Sequence, residues 1–439
     1  MPTAAALAHI PGPPALPLLG HTLGIVRNSY ALQEQAIATY GPVYKVNMLG
    51  VWRVNLCGVE ALETVLLDRD GIFSSEAGWS ALERIFPGGL MLQDVAEHRQ
   101  NRRIMQSAFR AEAMRDYLRR METVLADLLA DWPTERAFRF YDAIKDLTLR
   151  VGCAVFMGLP PDDPLAARLN RAFIDEVRAT VGLVRAPLPF TAMRRGVRGR
   201  AFLRDTFRRL IAERRAAPGE DFFSQMYVAT DAEGQGWSED EILDQFNFLM
   251  MAAHDTTATA LTTMAWALGA HPEWQEALAG EAEALNRPLD EAALATMART
   301  EQVFKEALRL VPPVPFIPRT VTRDFHWQGF DIPAGTAITL NPGTTMMSPE
   351  LYPDPARFDP GRFSSSRAED KRHRFAWTPF GGGAHKCIGM HFSTLQVKLL
   401  VACLLPRCRI ELAGSPAPVW QRLPIPRPRD GLPVVLRPR

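Results

Sequence analysis

Apolar residues recur at helical spacing through most of this chain, and β-patterned runs are confined to short stretches near its start and in its last third. From Val43 to Gly58 two such runs flank Leu49 and Gly50, which predicts a hairpin. Helical pattern then dominates from Asp94 to about Arg215. Within it, Val181 to Arg200 mixes Leu183, Val184, Leu188 and Phe190 with Pro187 and Pro189, then gathers Arg194, Arg195, Arg198 and Arg200. That composition predicts a loop between two helices, read first as a mobile lid over a pocket and alternatively as a surface able to touch an anionic membrane weakly. Ser238 and Glu241 have capping-box spacing, and the helix they open should run to about Gly269, ahead of Pro272. Its segment from Phe246 to Ala270 is apolar enough to suggest a membrane span, but His254, Asp255, Thr256 and Thr257 at its centre make lipid burial expensive. A buried core helix is therefore expected. Another helix should end at Pro312, short strands should follow around Val321, Phe330 and Ile338, and a helix after Cys387 should lead into a Pro-rich β region.

Composition narrows the class. At 439 residues, 47% hydrophobic and net charge +1, the chain is a globular protein with an extensive core, and length alone suggests two or three domains. Near-neutral charge and the lack of a dense basic stripe exclude a nucleic-acid protein. Five cysteines at irregular spacing are too few for a disulfide framework and place the expected home in a reducing compartment, the cytoplasm. Before Pro11, Pro13 and Pro14 there is neither a charged leader nor a long apolar run, so no transmembrane anchor is expected.

The most informative segment is F-G-G-G-A-H-K-C-I-G, from Phe380 to Gly389. Gly381, Gly382 and Gly383 should leave a flat approach for a large planar ligand. An apolar-periodic helix after Cys387 should put its sulfur at a positive helix end, which favours the thiolate that a haem iron takes as an axial ligand. Alone, a cysteine here reads more readily as a small core residue. Phe380, Gly383, Cys387 and Gly389, however, reproduce the F-x-x-G-x-x-x-C-x-G signature, and through it the chain resembles the cytochrome P-450 family over nearly its whole length. His385 departs from the arginine that most members carry, as in the similar sterol demethylase branch, and makes the charge there pH-dependent.

The resemblance implies a mainly α fold with a smaller β-rich lobe. It implies a single domain over residues 1–439, with a Pro-rich segment at 1–20, overriding the count from length. The implied cofactor is haem b, with Cys387 as metal ligand in a loop that includes Phe380 and Gly389. His98 and Arg102, at i and i+4 in H-R-Q-N-R-R, match the family's haem-flanking helix and would meet the propionates, joined by Arg319 and His385. A-A-H-D-T-T, from Ala252 to Thr257, resembles the oxygen-activation motif, in which the acid Asp255 and the alcohol Thr256 would deliver protons to a reacting oxygen. Ala253 replaces the commoner glycine and narrows the groove, while a threonine bonding back to the preceding turn is the commonplace alternative for such a string. Glu306, Arg309 and Arg362 match the family's structural charge triad. By family position, Trp79, Phe86, Leu249, Ala252, Val314, Phe316, Ile317 and Ile425 would line a substrate pocket, and their apolar character implies a lipophilic substrate held by shape.

The function implied is a monooxygenase acting on a terpenoid, steroid, fatty acid or similar molecule. The chain carries no flavin or iron–sulfur motif, so a ferredoxin with its reductase is the expected electron source, meeting a monomer at Lys386, Arg99 and Arg103. A peroxide-using or rearranging enzyme is disfavoured by the Asp255–Thr256 pair, and a non-catalytic haem carrier by the same motif.

Overall fold

The computed structural model describes residues 2–182, 184–216, 219, 221–230 and 234–439. Fifteen α-helices run through them: α1 (Thr22–Tyr40), α2 (Val59–Leu67), α3 (Ser75–Glu83), α4 (Val95–Ser107), α5 (Ala111–Ala130), α6 (Phe140–Met157), α7 (Pro164–Thr180), α8 (Ala192–Ala216), α9 (Phe222–Val228), α10 (Glu239–Ala270), α11 (Pro272–Glu283), α12 (Glu291–Ala295), α13 (Ala298–Leu310), α14 (Pro342–Thr345) and α15 (Met390–Leu404). The strands are β1 (Val43–Met48), β2 (Val51–Leu56), β3 (Phe73–Ser74), β4 (Ala137–Arg139), β5 (Ile317–Val321), β6 (Phe325–Trp327), β7 (Phe330–Ile332), β8 (Ala337–Leu340), β9 (Cys408–Leu412), β10 (Trp420–Gln421), β11 (Arg427–Pro428) and β12 (Pro433–Pro438).

Two lobes follow from this order. A helical core is built on α5, α6, α10, α13 and α15, with Met121, Phe156, Phe246, Leu261, Phe304 and Leu399 in one continuous apolar cluster. α10 threads it and most of its residues from Ile242 to Leu268 are buried, which explains its lack of a polar face, while Met251, Ala252, Ala253 and Thr256 are half-buried. Ser238 caps it as predicted, accepting from the Glu241 amide while Glu241 reaches back to the Ser238 amide. The stretch Gly383–Leu404, which ends in α15, is long and apolar enough by composition to cross a membrane, yet α15 packs inside this core.

The β-rich lobe carries a five-stranded sheet in the order β1-β2-β8-β5-β3, where only β2 and β8 run parallel. Leu49 and Gly50 turn the β1–β2 hairpin with φ of 50° and 86°, the left-handed pair that such a two-residue turn needs. β4, β12 and β9 form a second sheet under α10.

The predicted loop at 181–200 is shorter than expected. Residues from Ala192 onward are helical, because Met193, Gly196, Gly199 and Leu203 recur on one face and bury it. A Cβ at Gly199 would stand 2.9 Å from the Ala172 carbonyl, so bare glycine lets α8 lie close on α7. Arg195 and Arg200 are drawn into ion pairs with Asp175 and Asp244. The connection itself leaves Val184, Leu188 and Phe190 exposed, Phe190 almost completely; Leu183 lies outside the described residues.

Candidate active site

The Cys387 amide donates to the Phe380 carbonyl at 2.9 Å, closing the loop on itself. Phe380 anchors it from inside, its ring 5.7 Å from Trp377 and 6.4 Å from Phe304. The glycines serve a purpose different from the predicted one. A Cβ on Gly383 would fall 1.8 Å from the Leu66 carbonyl of α2, and one on Gly382 would fall 2.4 Å from the Phe375 ring. These two therefore let the loop press against protein, and only Gly381 has open space at its Cβ position apart from the His385 carbonyl.

The Cys387 thiol is accessible to solvent, unlike Cys57, Cys153, Cys403 and Cys408, which are buried. Burial nonetheless raises its pKa, opposed by the Gly389 amide, Arg102 and Lys386. The residue is thus open to solvent on one side, while protein surrounds the rest of it. α15 begins three residues later, so the nearby Gly389 amide, rather than the helix's first turn, is what the sulfur meets.

Beside this thiol lies a group of donors with no anion to satisfy them. The His98 and His385 rings stack with centroids 4.0 Å apart, and the Nδ1 of each is buried without a partner. Burial, reinforced by neighbouring cations, lowers His98 to about 4, and burial, His98, Arg319 and Arg102 lower His385 to about 3. The pH-dependent charge foreseen at position 385 is thus suppressed near neutrality in the protein alone. Arg319, on β5, is buried and lowered to about 10 by that burial, its Nη1 donating only to the adjacent Pro318 carbonyl. Arg102, half-buried on α4, feels Cys387 as its main charged neighbour. Two orphaned imidazoles and an under-partnered guanidinium form a cradle for a dianion, so the residues fit the two propionates of a haem, with Cys387 open to its iron.

On α10, the Thr256 hydroxyl donates to the Ala252 carbonyl at 2.6 Å and Thr257 to Ala253 at 2.8 Å. With its proton so committed, the Thr256 oxygen is left as an acceptor. Asp255 lies about 100° round the helix from Thr256 and is buried on a different side. Its Oδ1 is 2.6 Å from Lys145 Nζ of α6 and 3.4 Å from His254 Nε2. Burial alone would raise its pKa, but His254, Lys145 and Arg427 outweigh that and hold it below the ordinary carboxylate range. Lys145 was not legible in the sequence, since nothing in α6 marks it apart from other surface lysines.

Of the eight pocket candidates, Trp79, Phe86 and Ala252 share one apolar cluster, completed by Phe248, Ala179 and Met193 from α10, α7 and α8, which sequence reasoning missed. Leu249 packs in the helical core and Ile317 in the sheet core. Phe316 lies 6.3 Å from Tyr30 of α1, and Val314 and Ile425 are partly exposed.

Glu306, Arg309 and Arg362 are all buried. Arg309 grips Glu306 through Nε at 2.6 Å and Nη2 at 2.9 Å, and Arg362 Nε stands 3.5 Å from Glu306 Oε1. Glu369 and Arg367 extend the group, with Arg362 Nη1 donating to Glu369 Oε2 at 3.1 Å and Arg367 Nη2 to Oε1 at 2.7 Å. Carbonyls of Met346 and Pro355 accept from Arg309 and that of Asp354 from Arg362, which ties the segment before the cysteine loop to α13.

This geometry belongs to a haem-thiolate protein class. Residues 10–428 match the family model for cytochrome P450. The chain is 38% identical over 444 residues to putative cytochrome P450 136 of Mycobacterium tuberculosis, covering 100% of this chain and 90% of that one. It is 30% identical over 440 residues to putative cytochrome P450 120 of Synechocystis, covering 97% and 96%. Cytochrome P450 26B1 of Homo sapiens is 29% identical over 443 residues, covering 96% and 85%. Among solved structures, retinoic acid-bound cyanobacterial CYP120A1 superposes with a TM-score of 0.90 at 29% identity, covering 98% of this chain and 99% of that one. The chain belongs to the cytochrome P450 family: it is an oxidoreductase of the monooxygenase class that binds protoporphyrin IX haem.

Proposed function

We propose that Cys387 would bind the haem iron through its thiolate and that His98, His385, Arg319 and Arg102 would receive the propionates, with Phe380 and Gly389 shaping the loop. The observation that carries this is an exposed cysteine beside two buried imidazole nitrogens, of His98 and His385, that have no hydrogen-bond partner. When bound, the haem supplies the redox-active iron at which dioxygen is activated. Thr256, its proton held by Ala252, accepts a hydrogen bond from a water and so orients a proton donor toward the reacting oxygen. Asp255 stands behind it as the ionised member of a proton line whose outer end is Lys145, which is 14% exposed. Glu306, Arg309 and Arg362 lock the segment that carries the cysteine loop.

The substrate is a lipophilic molecule held against Trp79, Phe86, Ala252 and Phe248, with Leu249, Val314, Phe316, Ile317 and Ile425 around it. The retinoic acid in the CYP120A1 neighbour supports an extended hydrocarbon over a compact one. Electrons come from a ferredoxin and its reductase, docking on the exposed Lys386, Arg99 and Arg103. The 439 residues act as one cytoplasmic, monomeric catalytic unit, and exposed Val184, Leu188 and Phe190 give it a weak membrane contact.

The test is spectroscopic. The reduced carbon monoxide complex should show the red-shifted Soret band of thiolate ligation, and Cys387→Ser should abolish it while Cys403→Ser leaves it. A band that survived Cys387→Ser would overturn the assignment.

A further inference from the structure

Between β10 and β11 the chain makes a turn over residues 422–426, closed by the Gln421–Arg427 pairing. One side of this turn is tied to α10, where Thr259 donates to the Pro426 carbonyl at 2.7 Å, three residues past Thr256. The other side reaches α1, where the Arg422 guanidinium lies 4.3 Å over the Tyr30 ring. Four residue steps separate these anchor points, so they are at most about 14 Å apart. Tyr30 in turn faces Phe316, and its hydroxyl presses on the Gly343 backbone, where a Cβ would stand 2.2 Å away. Arg422 therefore sits at the edge of the region that runs from Thr256 past Phe316 to α1.

Its electrostatic state is unusual among the arginines of this hairpin. Arg427 donates to Gln421 Oε1 at 3.2 Å, whereas Arg422 makes neither a hydrogen bond nor an ion pair among the described residues. Nη1 of Arg422 is sealed from water without an acceptor, while the residue as a whole remains partly exposed. Burial disfavours its charge, and the carboxylate of exposed Glu34, one turn along α1 from Tyr30, offsets this only from beyond ion-pair range. A half-desolvated guanidinium stacked on an aromatic ring, with free N–H groups, is arranged to receive a planar anion.

Resting on the lipophilic-substrate reading above, we infer that Arg422 is a specificity residue that binds a carboxylate at one end of an extended hydrocarbon substrate, with Tyr30 as the platform that holds the guanidinium flat. The ligand class is thus a lipophilic carboxylic acid, distinguished from the corresponding ester or alcohol by charge. An acid gains charge-assisted hydrogen bonds that an ester lacks, and it relieves the unsatisfied Nη1 environment by neutralising the residue.

The experiment is a titration of the ferric holoenzyme with retinoic acid and with its methyl ester, and then with hexadecanoic acid and its methyl ester, each followed by the haem spectral shift and by equilibrium dialysis. At least one acid should bind about tenfold or more tighter than its ester. Arg422→Gln, checked for unchanged haem content, should lose that preference by weakening acid binding alone, and Arg422→Lys should retain part of it. Equal binding of acid and ester by the parent would overturn the inference while leaving the lipophilic-substrate reading in place. So would an acid preference that survives Arg422→Gln, including the case in which that variant is merely less heat-stable through loss of a Glu34 attraction. Binding of neither acid nor ester would overturn both.

Discussion

Thr256 shows how one hydrogen bond fixes a side chain's chemical role. Because its proton is bound to the Ala252 carbonyl at 2.6 Å, the hydroxyl oxygen is left to accept, and in the proposed role that direction would set which way a proton donor points. Thr256→Ala should keep haem content and ligand binding while lowering product formed per NADH consumed several-fold, the missing equivalents appearing as hydrogen peroxide. Thr256→Ser, which preserves the hydroxyl, should restore most of the coupling. Coupling that stays at the parental value in the alanine variant would shift the role to Thr257, whose own hydroxyl is bound to Ala253 in the same way. The string of threonines was readable in the sequence, but which of them turns toward the Ala252 side is set by helix phase against the core.

Helices matter here through their pairing more than through their individual patterns. α6 and α10 cross where Lys145 meets Asp255, and the carboxylate stays ionised in the core because Lys145, His254 and Arg427 together overcome the cost of burying it. Removing Lys145 leaves that cost less well opposed, so the Asp255 pKa must rise. Turnover that needs ionised Asp255 is lost as pH falls through this pKa. Lys145→Met should therefore shift the acid limb of the pH–rate profile upward by one unit or more, with rates near the basic plateau less affected; Lys145→Arg should keep the limb near its parental position. An acid limb that stays in place in Lys145→Met would show that the pair only joins two helices.

At the scale of the whole molecule, the sheet lobe and helical core bring residues more than 200 positions apart into one cluster: His98 on α4, Arg319 on β5 and His385 in the cysteine loop. The same loop and helix expose Lys386, Arg99 and Arg103, the proposed docking cations. Lys386→Glu should slow reduction by an acidic ferredoxin several-fold at low ionic strength, with the difference shrinking as salt is added and ligand affinity unchanged. Stopped-flow reduction of parent and variant at two salt concentrations measures this, and equal rates at low salt would exclude the face as the docking site.

Much of the protein was legible from the chain because the determining signals are local. The capping box at Ser238 and the Leu49–Gly50 turn each depend on neighbours in sequence, and each stands where it was expected. Other features are decided by close approach between distant segments, which no local pattern encodes. Gly382 and Gly383 look like ligand-facing glycines in the sequence but are spent on Phe375 and on α2, because only the folded chain brings those atoms within 2.4 Å and 1.8 Å of the missing side chains. The helical start at Ala192 is imposed by burial against α7, overriding a stretch that reads as a loop. Lys145 and Arg422 are ordinary cations until the fold gives one a buried carboxylate and denies the other any acceptor. Sequence fixes what each group can do; desolvation and partner choice, which exist only in the tertiary structure, decide which of those chemistries remains open.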